Sequence, residues 1–143
     1  MRRRDFVRRL PVLGAGVAAA LSAGACAGVS YVVPRPRPDG ALALDAGSLG
    51  AGEAAFVQGP GMERPVYVHR DDAGGVTAVL ASCTHRGCQP EPVADRLVCP
   101  CHGSEFTLAG EVLQGPAERP LARYDVTEEG GELIVWVTGR RDR

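Results

Sequence analysis

The sequence predicts a small all-β domain of antiparallel strands, preceded by a hydrophobic N-terminal helix. Three observations predict it. Between Ala41 and Thr138, short β-type runs recur, separated by Gly, Pro and Asp, which is the pattern of a small antiparallel β fold. Helical periodicity is hard to find in that region. A chain of 143 residues also leaves room for about one ordinary domain once the N-terminus is set aside.

Met1 to Val33 (residues 1–33) reads as a targeting or anchoring segment outside the fold. Residues 1–9 hold five Arg and one Asp, which leaves the remainder of the chain at net −5. Arg3, Arg4, Phe6, Val7 and Arg8 resemble the twin-arginine export signal; the plainer reading is an ordinary basic signal start. Leu10 to Pro34 carries no charge and is long enough to span a bilayer as a helix. The positive charge before it keeps the N-terminus cytoplasmic and sends the rest across a bacterial cell membrane. Gly and Ala make the run only modestly apolar, so three outcomes stand open: retention as a membrane anchor, cleavage after Ala23-Gly24-Ala25, or lipidation of Cys26. In each, the globular part lies on the extracytoplasmic side, where disulfides are permitted.

Pro34 to Gly40 (residues 34–40) reads as a linker, because alternating prolines favour extended polyproline II. The head follows at residues 41–138. Strands are expected near Ala41–Asp45, Ala54–Gln58, Pro65–Arg70, Val76–Ala81, Arg96–Cys99, Ser104–Thr107, Leu121–Thr127 and Glu132–Val137, with turns at Gly59–Gly61, Asp71–Gly75 and Glu128–Gly131. His69 is expected as a surface strand residue and Trp136 as core of the last strand. The Arg-rich tail, residues 139–143, is expected to be solvated. The chain has no Lys, and its head is mildly acidic, which argues against nucleic-acid binding. No dinucleotide fingerprint, P-loop, nucleophile elbow or repeat appears.

The chemistry is concentrated in Cys83-Thr84-His85-Arg86-Gly87-Cys88 and Cys99-Pro100-Cys101-His102-Gly103-Ser104. Each box offers a Cys and a His, Cys83/His85 and Cys99/His102, and one further cysteine, Cys88 or Cys101. Two thiolates and two imidazoles are the donor set of a [2Fe–2S] centre with mixed ligation. A Cys2His2 zinc site uses the same donors but leaves the two extra cysteines unexplained. Haem attachment needs C-x-x-C-H, and Cys99-Pro100-Cys101-His102 is one residue short of it. A catalytic Cys/His pair lacks an orienting third group.

This stretch closely resembles the Rieske family, and within it the quinol–cytochrome c reductase type, whose boxes read C-T-H-x-G-C and C-P-C-H-G-S. The resemblance implies a small antiparallel β sandwich with a cluster-binding loop subdomain at its tip. It implies a Rieske-type [2Fe–2S] cluster, with Cys83 and Cys99 on the buried iron and His85 and His102 on the outer iron. It further implies a Cys88–Cys101 disulfide tying the loops together, and a Ser104 hydroxyl that donates to a bridging sulfide and raises the potential. Gly115 and Pro116 match the family's Gly-Pro loop, which covers the cluster on a third side.

The sequence also departs from that type. The spacer between His85 and Cys99 is short, so the cluster subdomain should be trimmed. Arg86 stands where a leucine usually inserts toward the quinol pocket, and a guanidinium is a poor occupant of an apolar socket. Phe106 stands where the highest-potential members have a tyrosine.

The resemblance implies electron transfer from quinol to a c-type cytochrome, with a proton taken by a ligand histidine. The implied partners are a cytochrome b-type quinol-oxidising subunit, a c-type cytochrome and the membrane. The chain would then be a subunit of an oxidoreductase complex and not an enzyme alone. Three other roles compete: a stand-alone exported Rieske protein, the small subunit of a molybdenum oxidase of the arsenite-oxidase type, and a ferredoxin serving a ring-hydroxylating oxygenase. Gly103-Ser104 argues against the second of these, and Cys88 and Cys101 against the third.

Overall fold

The computed structural model describes residues 28–138. The twin-arginine-like motif, residues 10–27 of the expected N-terminal helix, Cys26 and the tail 139–143 lie outside the described residues.

Twelve strands build two sheets. They are β1 (Ser30–Val32), β2 (Arg35–Pro36), β3 (Leu42–Asp45), β4 (Ala54–Val57), β5 (Val66–Arg70), β6 (Val76–Leu80), β7 (Glu91–Val93), β8 (Arg96–Val98), β9 (Glu105–Thr107), β10 (Val112–Gln114), β11 (Arg123–Glu129) and β12 (Glu132–Trp136). The base is an eight-stranded sheet in the order β1-β4-β5-β6-β11-β12-β3-β2. The smaller sheet has the order β10-β9-β8-β7 and is inserted between β6 and β11. All pairings are antiparallel except β1 with β4.

The period of two along the central strands divides the interior into two cores. From β4, β5 and β6, Ala55, Val57, Val66, Val68 and Ala78 point into one core with Leu42, Leu44, Leu133 and Val135. The alternate residues Phe56, Tyr67 and Val79 point into a second core with Leu97, Phe106, Ala117, Leu121, Cys83 and Cys99. That is why Val66-Tyr67-Val68 is a continuous apolar run: these residues are buried on both faces. The second core joins the base to the small sheet and contains two of the residues singled out as cluster ligands.

The main correction concerns residues 30–36. The sequence places Val33 at the end of an anchor and starts a free linker at Pro34. Instead, Ser30–Val32 pairs with β4 at one margin of the base sheet, and Arg35–Pro36 pairs with β3 at the other. Only Val33 and Pro34 separate the two strands. Two residues bridge no more than about 11 Å, so the sheet must curl until its margins nearly meet. The segment acts as a strap across that gap. Tyr31 packs on Phe56 with ring centroids 5.1 Å apart, and Arg35 pairs with Glu132. A helix cannot therefore continue to Pro34.

Two further strands were not expected, β7 and β10, each of three residues. The spacer between His85 and Cys99 folds as a hairpin, with β7 and β8 joined by Ala94-Asp95 alone. Ala94 takes φ 55°, an uncommon backbone for a residue with a Cβ. Trp136 is only half-buried and donates from Nε1 to Thr127 Oγ1 at 3.2 Å, so it is not a core residue. His69 is partly buried in β5 and stacks on Tyr67.

Candidate metal centre

Loop 82–90 leaves β6, loop 99–104 joins β8 to β9, and loop 115–122 joins β10 to β11. The first two have the same backbone. Cys83 N–H donates to Cys88 O (2.8 Å) and Gly87 N–H to Cys83 O (2.7 Å). Cys99 N–H donates to Ser104 O (2.8 Å) and Gly103 N–H to Cys99 O (2.9 Å). In each six-residue frame the fifth position takes a left-handed φ, 76° at Gly87 and 77° at Gly103, which glycine adopts without steric cost.

These frames bring the predicted residues together. The first position of each, Cys83 and Cys99, is a buried free thiol at 3% and 1% exposure. His85 and His102 are exposed, with ring centroids 4.8 Å apart and planes at 88°. Cys88 and Cys101 form a disulfide across the loops, with a Cα–Cα separation of 6.4 Å. Burial pushes the Cys99 thiol up, and the neighbouring Cys83 thiol adds to that. The N–H groups of Cys101 and His102 donate to the same sulfur and pull it down. Amide donors aimed at a buried sulfur favour its anionic form, which is the form a metal requires.

Ser104 lies beneath the second loop, with no exposed surface. Its Oγ accepts from Ala117 N–H at 2.9 Å, and among the described residues its own O–H has no acceptor. A buried hydroxyl with its proton left over suits a sulfide acceptor. Phe106 is fully buried in the adjoining core. Gly115 and Pro116 are exposed, joined by a cis peptide bond, and followed by buried Ala117.

Three contacts hold the loops in place and were not foreseen. Thr84 Oγ1 donates to Arg119 O at 2.5 Å, tying the first loop to the Gly-Pro loop. Gln114 Nε2 donates to Gly103 O at 3.3 Å. Gln89 Nε2 donates to Tyr31 Oη at 2.7 Å, which links the strap to the residue after Cys88. Thr84 stands inside the ligand motif, so it was the one within reach of sequence reasoning.

The donor chemistry fits a two-metal group. Among the described residues, the one trio of possible ligand atoms lying within 4.8 Å of one another is Cys88, Cys99 and Cys101. Two of those sulfurs are bonded to each other, so the trio offers a single thiolate and is no metal site. No three of Cys83, His85, Cys99 and His102 gather that tightly, as three ligands of one zinc ion would. Two buried thiols below two exposed imidazoles instead suit a group with one metal atom inside and one near the surface.

The family model for the Rieske [2Fe-2S] domain matches residues 42–125. A cytochrome b6-f complex iron-sulfur subunit from Chlorobaculum tepidum is 34% identical over 142 residues, covering 93% of this chain and 74% of that protein. Among solved structures, a chain of a hyperthermophilic respiratory Complex III is 29% identical with TM-score 0.53, covering 64% of this chain and 72% of that one. A Sphingomonas yanoikuyae B1 ferredoxin is 27% identical with TM-score 0.51, covering 64% and 91%. The fold is thus shared by a respiratory-complex chain and a ferredoxin. The match over residues 42–125, together with the thiol, imidazole and disulfide arrangement, shows that the chain belongs to the Rieske [2Fe–2S] domain family and transfers electrons through an iron–sulfur cluster.

Proposed function

We propose that this chain is the iron–sulfur subunit of a quinol–cytochrome c reductase-like respiratory chain. It takes an electron and a proton from quinol and passes the electron to a c-type cytochrome. In this reading Cys83, Cys99, His85 and His102 hold the cluster, which supplies reversible one-electron exchange when bound. The observation that carries the reading is the buried Ser104 hydroxyl, whose proton has no acceptor among the described residues. Donated toward a cluster sulfide, it favours the reduced, more negative state and raises the potential into the range quinol oxidation needs.

The other residues have separate tasks. His85 and His102 are exposed, so an outward ring nitrogen can accept the hydroxyl proton of a quinol held by a partner subunit. The Cys101 and His102 amides stabilise negative charge on Cys99 Sγ. The Cys88–Cys101 disulfide and the Thr84–Arg119 bond fix the loops, so little rearrangement accompanies electron exchange. The similarity to cytochrome b6-f iron-sulfur subunits supports a cytochrome-complex partner. Membrane attachment and twin-arginine export are assigned to residues upstream of Gly28, with the head on the extracytoplasmic face.

Arg86 favours a second reading, a stand-alone exported Rieske protein. Its charge sits where an apolar quinol-pocket contact would be made. An EPR-monitored redox titration of the full chain in an uncharged detergent tests the quinol-chain reading. A Rieske signal already present with ascorbate supports quinol-chain electron transfer. A signal obtained only with dithionite overturns it in favour of a low-potential, ferredoxin-like role.

A further inference from the structure

Residues 28–138 carry eight arginines against fifteen carboxylates, so the head is acidic. Five of the eight are neutralised locally: Arg35 by Glu132, Arg37 by Asp39, Arg70 by Glu128, Arg96 by Asp95 and Glu105, and Arg123 by Glu111. Arg64, Arg86 and Arg119 have no ion-pair partner among the described residues. Two of these three lie on the loops around the histidines, and both are exposed.

Their placement follows from the loop frames. Arg86 occupies the fourth position of its frame, the position His102 occupies in the other. Arg119 belongs to the Gly-Pro loop, and its carbonyl is bonded to Thr84 Oγ1, one residue from His85. The three loops 82–90, 99–104 and 115–120 contain one carboxylate, Glu118, against these two guanidiniums. An acidic body with a cationic tip has a field that orients an approaching anion toward the tip and repels it elsewhere.

We propose that the histidine-bearing tip is a docking surface for a redox partner whose own electron-transfer face carries carboxylates. Arg86 and Arg119 are its charge-reading residues. The inference rests on the reading that the cluster sits between the two loops.

The test uses the full, cluster-loaded chain in an uncharged detergent. The reduced protein is oxidised by one electron in stopped flow, either by hexacyanoferrate(III), which becomes hexacyanoferrate(II), or by tris(phenanthroline)cobalt(III), which becomes cobalt(II). Arg86→Leu and Arg119→Gln should each slow the anionic oxidant by at least about threefold at low salt, and should not slow the cationic one. The difference should vanish near 1 M salt, where the screening length is about 3 Å. Arg37→Gln, the same change in net charge on a residue outside the loops, should alter neither rate. As a readout independent of turnover, the midpoint potential should fall in Arg86→Leu and hold in Arg37→Gln, because a cation near the cluster favours its reduced state. Equal effects on both oxidants, or none, with the EPR signal intact, overturn the docking inference alone. Loss of the EPR signal in the unsubstituted chain overturns the cluster reading and this inference with it.

Discussion

The two ligand loops use one backbone to display different side chains. Both are six-residue frames closed by the same pair of hydrogen bonds, and both have a left-handed glycine at the fifth position. The first position is a buried thiol in each. Beyond that they diverge. The first loop places His at its third position and the disulfide cysteine at its sixth, whereas the second places its disulfide cysteine third and His fourth. The sixth position of the second loop is the buried hydroxyl of Ser104. The frame therefore determines where a donor can stand. The side chains determine which loop supplies the covalent tie and which supplies the hydrogen bond.

Removing a metal donor should have the largest effect and treat the loops alike. Cys83→Ser, Cys99→Ser, His85→Ala and His102→Ala should each abolish the cluster, read as iron and acid-labile sulfide per chain together with the EPR signal. A variant that keeps a full cluster would remove its residue from the ligand set.

Breaking the tie between loops should come next. Cys88→Ser opens a crosslink between residues separated by 13 positions, which should cost about 3 kcal/mol in reversible unfolding. The cluster should also bleach faster on dilution. A variant as stable as the parent would show that loop 99–104 holds its frame unaided.

Ser104→Ala probes the asymmetry. It should lower the midpoint potential, and it should cost about 1–3 kcal/mol by stranding the buried Ala117 N–H. A stability loss without a shift in potential would leave Ser104 a purely structural role.

The smallest effect tests the shared frame directly. Gly87→Ala and Gly103→Ala should each cost about 1–2 kcal/mol from backbone strain alone. A Cβ at Gly103 meets nothing within 4 Å, and at Gly87 only Ser82 Oγ at 3.8 Å. Urea unfolding should give equal losses, and a clear inequality would show that the two frames are held differently.

The parts that sequence reasoning reached are those where chemistry or periodicity leaves few choices. Cysteines, histidines and glycines at fixed spacing define the loops, and apolar runs such as Val66–Val68 between turn residues define the central strands. The strap was missed for a physical reason. Gly28 to Pro34 is uncharged and continues the charge-free run of a possible anchor, and the prolines after it suggest an extended spacer. What makes β1 a strand is its pairing with Ala55–Val57, a partner more than twenty residues away in the chain. β7 contains Pro92, which weakens a strand assignment. The Thr84–Arg119 and Gln89–Tyr31 bonds join residues 35 and 58 positions apart, and no local pattern announces them.

The strap also changes what the proline-rich stretch can be. Seven free residues from Pro34 to Gly40 would give a tether about 22 Å of extension at polyproline spacing. With Ser30–Val32 and Arg35–Pro36 bound along both margins of the sheet, much of that length is taken into the head and is not free. The stretch from Ser30 to Pro36 is therefore part of the closure of the sheet and not a free hinge. Lengthening the chain between Val32 and Arg35 would open that closure and would not add a tether.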